Sequence, residues 1–495
     1  MKKILLLPTT LCITATPLIG MVGCNDNQKD EVYDVLANLE GVVKVKKIHV
    51  DFTNRKVYDL WFKQPISWND PSLGTFNQRV RFSFAGFDAV NEMFVRGYQL
   101  QDLVQNRYND LETGIHFNGN TLRPEYRFFG DSCPKDISDY SLKYWEHLTA
   151  ENAAKDFRHI MTSFKQAFSG KWIMAGASKG GFTVNAQAMY EKEDDTKDAD
   201  VYVAYVAPRA NVRAETAMYN LTFRSHKERA QISEDYDKNV AQFVGYGIKN
   251  ENIIVKQYFE PDVINQIEVN NADFTDYFLA NMKKAYETCV GEAAVTFWQY
   301  EEDLSQLQEF NALPDNEQKQ KRFYEILCEL SSPSGFDVTN RDGYAYYIQA
   351  YRQMGEHKIA FSYLIDYVNT LSDKYTISRE DFDTKESDED GLWFNLCLLP
   401  VHLNAWTYDS NFQAKLNNWY QTTTQTGVFM IYGSCDPWTS MSLTNLTQGG
   451  SGFIHEYVGN DQQNPYARSH RVRIVELNQA QSSEIWTLIQ QELEK

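Results

Sequence analysis

Between Lys171 and Gly181 the chain reads Lys-Trp-Ile-Met-Ala-Gly-Ala-Ser-Lys-Gly-Gly, an order that few backbones accommodate. Trp172, Ile173, Met174 and Ala175 form an apolar run without polar alternation, the pattern of a strand covered on both faces of a parallel sheet. Gly176 ends that run. From Gly176 to Gly180 the chain fits G-x-S-x-G, in which small neighbours let a strand turn sharply into a helix and leave the middle residue, Ser178, exposed at the tip. A serine hydroxyl is a weak nucleophile alone. A catalytic reading of Ser178 therefore also requires a histidine base, an acid to orient it and N–H donors for a developing oxyanion.

The flanking segments supply the layers such a turn needs. Alternation from Val43 to Phe62 predicts one or two antiparallel strands, and Phe76–Phe84 a further extended segment after a turn at Asn69-Asp70-Pro71. Glu92–Tyr98 reads as an inner strand ending in glycine. Thr149 is placed to cap a helix whose apolar face is Ala153, Phe157, Ile160, Met161 and Phe164. A helix follows Ser178, and Val201–Ala207 is the next strand. Strand, helix, strand with serine, helix, strand is the doubly wound parallel α/β pattern. In α/β-hydrolases the loop after the inner strand gives one oxyanion N–H and the residue after the serine the other, so Gly97 or Tyr98 and Lys179 are the candidates. Gly97 also reads as a plain turn glycine.

From about residue 211 to 400 the pattern becomes helical and rich in charge, including Asp276–Ala294, Phe297–Phe310 and Tyr344–Gln353. We read this as a large helical cap domain inserted into the core. Most of its aromatics, such as Phe297, Trp298, Tyr300 and Trp393, are expected to hold helices together, with some lining a substrate cavity. The core resumes over 401–495. Thr426–Gly433 is a strand with Asp436 in the loop at its carboxyl end, where sheets of this kind carry their sites. Ile474–Leu477 and a helix from Ser482 to Leu493 close the domain. His455 and His470 both follow Asp436, and the order Ser, Asp, His is the one expected for the fold. His470 is preferred as base because it follows a loop rich in Asn, Gln and Pro, from which it can reach across the sheet edge.

The chain of 495 residues carries a formal net charge of −19 and shows no Lys/Arg block, which argues against nucleic acid as a partner. At the N-terminus, Lys2 and Lys3 precede an apolar stretch ending in Met21-Val22-Gly23-Cys24, which resembles a bacterial lipoprotein signal. The expected organisation is residues 1–23 as signal, lipid on the Cys24 thiol, 24–42 as tether, 43–210 as the first part of the core, 211–400 as cap and 401–495 as the second part. Membrane contact is then through the lipid anchor only, on the cell envelope at the outer membrane or surface. Five further cysteines, Cys133, Cys289, Cys328, Cys397 and Cys435, form no C-x-x-C pair, so no metal site and no cofactor are expected. Spacing alone names no disulfide.

A family resemblance rests on Gln64-Pro65, Thr75-Phe76-Asn77-Gln78-Arg79, Glu125-Tyr126-Arg127-Phe128-Phe129-Gly130-Asp131-Ser132, Leu148-Thr149 and Gly170-Lys171-Trp172-Ile173. It continues through Gly176-Ala177-Ser178-Lys179-Gly180-Gly181, Val203–Pro208, Phe297–Tyr300 and Tyr432-Gly433-Ser434-Cys435-Asp436-Pro437-Trp438. In these the chain resembles the S37 serine peptidases, which are related to the S28 group of prolyl carboxypeptidase and dipeptidyl peptidase. Tyr126 stands where that pattern usually has His, and Ala-Arg-Ser-His-Arg around His470 departs from a Gly-rich approach.

The resemblance implies an exopeptidase acting on peptide substrates, an aminopeptidase that releases short N-terminal peptides or proline-linked residues. It implies Ser178 as nucleophile, His470 as base and Asp436 as its orienter. Glu125 or a cap carboxylate would then receive the substrate ammonium, the other reading of Glu125 and Arg127 being a buried ion pair that shapes their loop. An esterase or lipase of the same fold, and a non-catalytic envelope binding lipoprotein, are the alternatives.

Overall fold

The structure is a computed structural model that describes residues 30–51, 54–101, 103, 108, 110–134, 142–209, 226–269, 282–300, 304–330, 345–346, 348–354, 358–359, 361–382, 392–393, 408–442, 450–461 and 463–495. The expected signal, Cys24 and Cys397 lie outside these residues, as do several stretches of the expected cap.

Nine strands make the central sheet: β1 (Val42–Ile48), β2 (Lys56–Pro65), β3 (Thr75–Phe84), β4 (Asn91–Val95), β5 (Asn120–Pro124), β6 (Trp172–Ala177), β7 (Val201–Tyr205), β10 (Val428–Gly433) and β11 (Ile454–Gly459). A short antiparallel pair, β8 (Lys358–Ile359) with β9 (Leu392–Trp393), lies in the insertion. The order across the sheet is β1-β2-β3-β5-β4-β6-β7-β10-β11. Neighbours from β1 to β5 are antiparallel, and every pairing from β5 onward is parallel. The central strands β4, β7 and β10 are buried along their whole length, as apolar runs without alternation require.

Burial on both faces needs a layer on each side. On one face the helix Ala150–Lys165 lays Phe157, Ile160, Met161 and Phe164 in the core that Phe82, Met93, Met174 and Tyr202 share. Thr149 Oγ1 caps it by accepting the Asn152 N–H at 3.2 Å. On the other face the helix Gln479–Leu493 brings Ile485, Ile489 and Leu493 to Ile173, Val203, Phe429 and Ile431.

Between β7 and β10 the described chain is mostly helical, with His226–Lys249, Met282–Tyr300, Leu304–Ala312, Glu317–Leu330 and Phe361–Leu371 as its longer elements. Their interior is aromatic: Phe243 stacks on Phe323 with ring centroids 4.4 Å apart, and Trp298 meets Tyr236 edge to face at 4.9 Å. Phe297 and Trp298 are thus core residues of the insertion rather than lining of a cavity.

Three elements differ from the sequence expectation. Residues 31–37 are a helix and not part of a tether, because Val32, Leu36 and Leu39 fall on one face and bury in the main core. A single helix runs through the break expected near residue 295 and ends at Tyr300. β11 is an edge strand that was not expected, since His455 and Glu456 interrupt its apolar pattern and most of it is only half-buried.

Candidate active site

Ser178 takes φ +57° and ψ −125°, a backbone conformation that L residues rarely adopt and that costs of the order of 1–3 kcal/mol. The surroundings impose it. The Ser178 N–H donates to Tyr205 O on the next strand at 2.9 Å, and Ser178 O accepts the Phe182 N–H at 2.9 Å. Close approach of backbones removes any alternative to glycine at position 180, where a Cβ would lie 2.0 Å from Val95 O. Ser178 is therefore held at the N-terminus of the helix Lys179–Glu193, at the carboxyl end of β6.

Strand register brings the acid to the same edge. Ala177 on β6, Tyr205 on β7 and Ile431 on β10 are level, so the turn after β6 and the loop after β10 open side by side. They are two strand spacings apart, about 10 Å. Asp436 is fully buried, and its Oδ2 lies 2.9 Å from His470 Nδ1. Its Oδ1 accepts the Trp438 N–H at 3.3 Å. Burial pushes the Asp436 carboxyl up, while His470 and the Trp438 N–H work to lower it. The acid and histidine loops are stitched together, since the Cys435 and Asp436 N–H groups both donate to Arg468 O, at 2.8 and 3.1 Å. The His470 N–H donates to Gln299 O at 2.7 Å, so the last turn of a helix of the insertion fixes the histidine backbone. Sequence reasoning noted Gln299 only among aromatics, and a backbone carbonyl leaves no signature to read.

His455 is elsewhere. It pairs with Phe429 near the start of β11 and stacks on that ring at 5.0 Å, four residues before the carboxyl end at Gly459. At 3.3 Å per residue that is about 13 Å from the edge that carries Asp436.

The loop after β4 lies against the serine turn. Gly97 has φ +83°, and a Cβ there would be 3.0 Å from the Gly180 nitrogen and 3.1 Å from the Lys179 carbonyl carbon. Tyr98 follows, half-buried, with its carbonyl accepting the Tyr126 N–H at 3.0 Å. Lys179 turns its side chain inward. It is 1% exposed, its Nζ donates to Gly97 O, and the Nζ sits 3.5 Å from the Tyr126 ring centroid and 4.7 Å from that of Phe129. Burial lowers the Lys179 ammonium well below the usual lysine range. The Lys179 side chain thus fastens the loop that carries Gly97 to the helix that starts after Ser178, a link missed from sequence because its two ends are 82 residues apart.

Glu125 is not open to a substrate. It is buried, its Oε1 accepts the Leu100 N–H at 2.8 Å and its Oε2 accepts the Ser132 hydroxyl at 2.7 Å. It folds its own loop, and both oxygens are already occupied. Arg127 does not pair with it either: Arg127 forms a fully buried two-point bond to Asp156, at 2.8 and 2.9 Å, tying the loop to the helix Ala150–Lys165. Among the described residues no group of three or more His, Cys, Asp or Glu side chains is placed to hold a metal ion.

A mixed sheet, parallel where it carries a serine on a strained strand-to-helix turn and an Asp–His pair two strands along the same edge, defines an α/β-hydrolase. The family described as PS-10 peptidase S37 matches residues 27–451. The chain belongs to the S37 peptidase family and is a serine peptidase. It is similar to the prolyl tri/tetrapeptidyl aminopeptidase of Streptomyces mobaraensis, 23% identical over 440 residues that cover 86% of this chain and 80% of that one. Among solved structures, proline iminopeptidase of Mycobacterium smegmatis aligns over 91% of this chain and 99% of its own, at 9% identity and TM-score 0.32. Acetyl xylan esterase 1 of a Thermoanaerobacterium species aligns over 40% of this chain and 64% of its own, at 12% identity and TM-score 0.25. Neither structural likeness is close enough to add to the argument.

Proposed function

We propose that this peptidase is an aminopeptidase that releases short N-terminal peptides or proline-linked residues through an acyl-enzyme on Ser178. The observation that carries the reading is the 2.9 Å contact of His470 Nδ1 with Asp436, at the sheet edge where the serine turn opens. An imidazole that donates its Nδ1–H to a carboxylate has its lone pair on Nε2, the nitrogen suited to take the serine proton. Ser178 Oγ attacks the scissile carbonyl as His470 accepts that proton. The tetrahedral oxyanion is received by the Lys179 N–H and by an N–H of Gly97 or Tyr98, a contribution of about 3–4 kcal/mol per donor. Collapse breaks the C–N bond, His470 passes the proton to the leaving amine, and water repeats the sequence to free the N-terminal product.

The relative from Streptomyces mobaraensis carries the aminopeptidase name, which supports the exopeptidase direction for this chain. A matched panel of peptides with free and acetylated N-termini tests it. Cleavage of free peptides close to the N-terminus, at least about 100-fold faster than of acetylated ones and absent in Ser178→Ala, is the expected result. Equal cleavage of blocked peptides, or of acyl esters alone, contradicts it.

From the lipoprotein-like stretch ending at Cys24 we further propose that the protein is held on the bacterial cell envelope, at the outer membrane or surface, by lipid on that thiol. In detergent phase separation the wild type should enter the detergent phase and Cys24→Ser the aqueous phase; identical partition of both removes the anchor.

A further inference from the structure

A cavity of about 280 Å³ opens beside the serine turn, and three arginines surround it: Arg96, Arg123 and Arg473. Three of the chain segments that build the candidate active site border it. Ala177 immediately precedes Ser178, Tyr98 belongs to the loop packed on the serine turn, and Arg473 is three residues beyond His470. Phe94 contributes an apolar wall.

The guanidiniums crowd one another. Arg96 is an exposed residue whose guanidinium is partly desolvated by its neighbours. That desolvation, followed by the like charges of Arg123 and Arg473, lowers its guanidinium from the ordinary value. Arg473 is braced with its Nη1 on Val472 O at 2.6 Å and its guanidinium 5.0 Å above the Tyr205 ring. Arg123 lies 4.6 Å over the Tyr108 ring, and Arg96 donates to Gln101 Oε1 at 3.1 Å.

Acids stand behind this wall, where Arg123 acts on Glu92 and Arg473 on Glu112, and each acid also has a partner outside the arginine cluster. Glu112 accepts the Tyr205 hydroxyl and the N–H groups of Ile474 and Val475, the last two at 3.1 Å. Asp110 pairs with Arg55 at 3.3 Å. Glu92 is fully buried, accepts the Gly114 N–H, and is pushed up to about 8 by burial, so it is largely neutral at pH 7. Three like charges held together at the mouth of a cavity are stabilised by an anion that enters it, and a planar carboxylate suits the forked donors of arginine.

We propose that this cavity is a subsite for a carboxylate of the peptide substrate. The inference rests on the peptidase reading of Ser178, because that reading makes peptides the molecules presented at this edge. Two carboxylates of a peptide can fill the subsite: its C-terminus, or an Asp or Glu side chain next to the scissile bond.

Steady-state kinetics on the full chain tests this with free N-terminus peptides in matched pairs. One pair differs as C-terminal acid against amide, and others as Glu against Gln on either side of the cleaved bond. The expected result is a preference of tenfold or more in kcat/KM for the carboxylate member of one pair in the wild type, carried by KM and weakened by salt. In Arg96→Gln and in Arg473→Gln that preference should fall to about twofold or less. Which pair shows it assigns the carboxylate to the terminus or to the side chain. Thermal unfolding and fluorophosphonate labelling of each variant establish that it is folded with its serine reactive. The proposal is overturned if the wild type discriminates no pair, or if discrimination survives in both variants. Labelling without cleavage of any peptide overturns the peptidase reading itself, and the subsite with it. Cleavage of the neutral amidated peptides without preference removes only the subsite.

Discussion

Lys179 is the residue whose role changes most between sequence and structure. The motif needs only its backbone N–H. Its side chain is nevertheless buried among Tyr98, Tyr126 and Phe129, with Nζ bonded to the carbonyl of Gly97. In a trans peptide the C=O and the following N–H point in opposite directions, so fixing Gly97 O also fixes the direction of the Tyr98 N–H. Lys179→Met keeps the volume of the side chain and removes the donor. It should lower kcat by about ten- to a hundredfold, in line with loosening one oxyanion donor, and leave the thermal midpoint unchanged or slightly raised, because a buried amine is exchanged for an apolar chain. An unchanged kcat in the folded variant would show that the loop is held without it. Ser178 and Asp436 were legible from sequence because each sits in a short local pattern at a strand end. The Lys179 contact and the arginine cluster were not, since each joins segments that only the fold brings together.

At the scale of elements, legibility followed the strength of the pattern. β6 and β10 are uninterrupted apolar runs and were readable, whereas β11 places His455 and Glu456 in a half-buried edge and was not. The helix Glu31–Ala37 was hidden by its charges and its short length, although Val32, Leu36 and Leu39 are at helical spacing. Its burial gives a direct consequence. Leu36 is fully buried in the main core, so Leu36→Ala should cost about 2–4 kcal/mol in denaturant unfolding. A cost below about 0.5 kcal/mol is what a solvated tether would give, and would contradict the packing described.

For the molecule as a whole, the insertion and the core meet at the histidine. The helix Met282–Tyr300 sends its Gln299 carbonyl to the His470 N–H, while the loop of Arg468 is bonded to the Asp436 loop. His470, the proposed general base, is thereby positioned from two sides, one of them a segment about 170 residues earlier in the chain. Composition set the outline of this arrangement, with a helical block between two parts of an α/β core. The point of contact was not readable, because a main-chain carbonyl is the same in every residue. The central claim is that this assembly makes Ser178 a nucleophile driven by His470. Reaction of the purified chain with a fluorophosphonate, followed by mapping of the adduct by mass spectrometry, tests that claim most directly. A single adduct on Ser178, formed at least 100-fold more slowly in His470→Ala than in the wild type or in His455→Ala, is the predicted result. Folded protein that takes no label, or takes it at another residue, or depends on His455 instead, would contradict it.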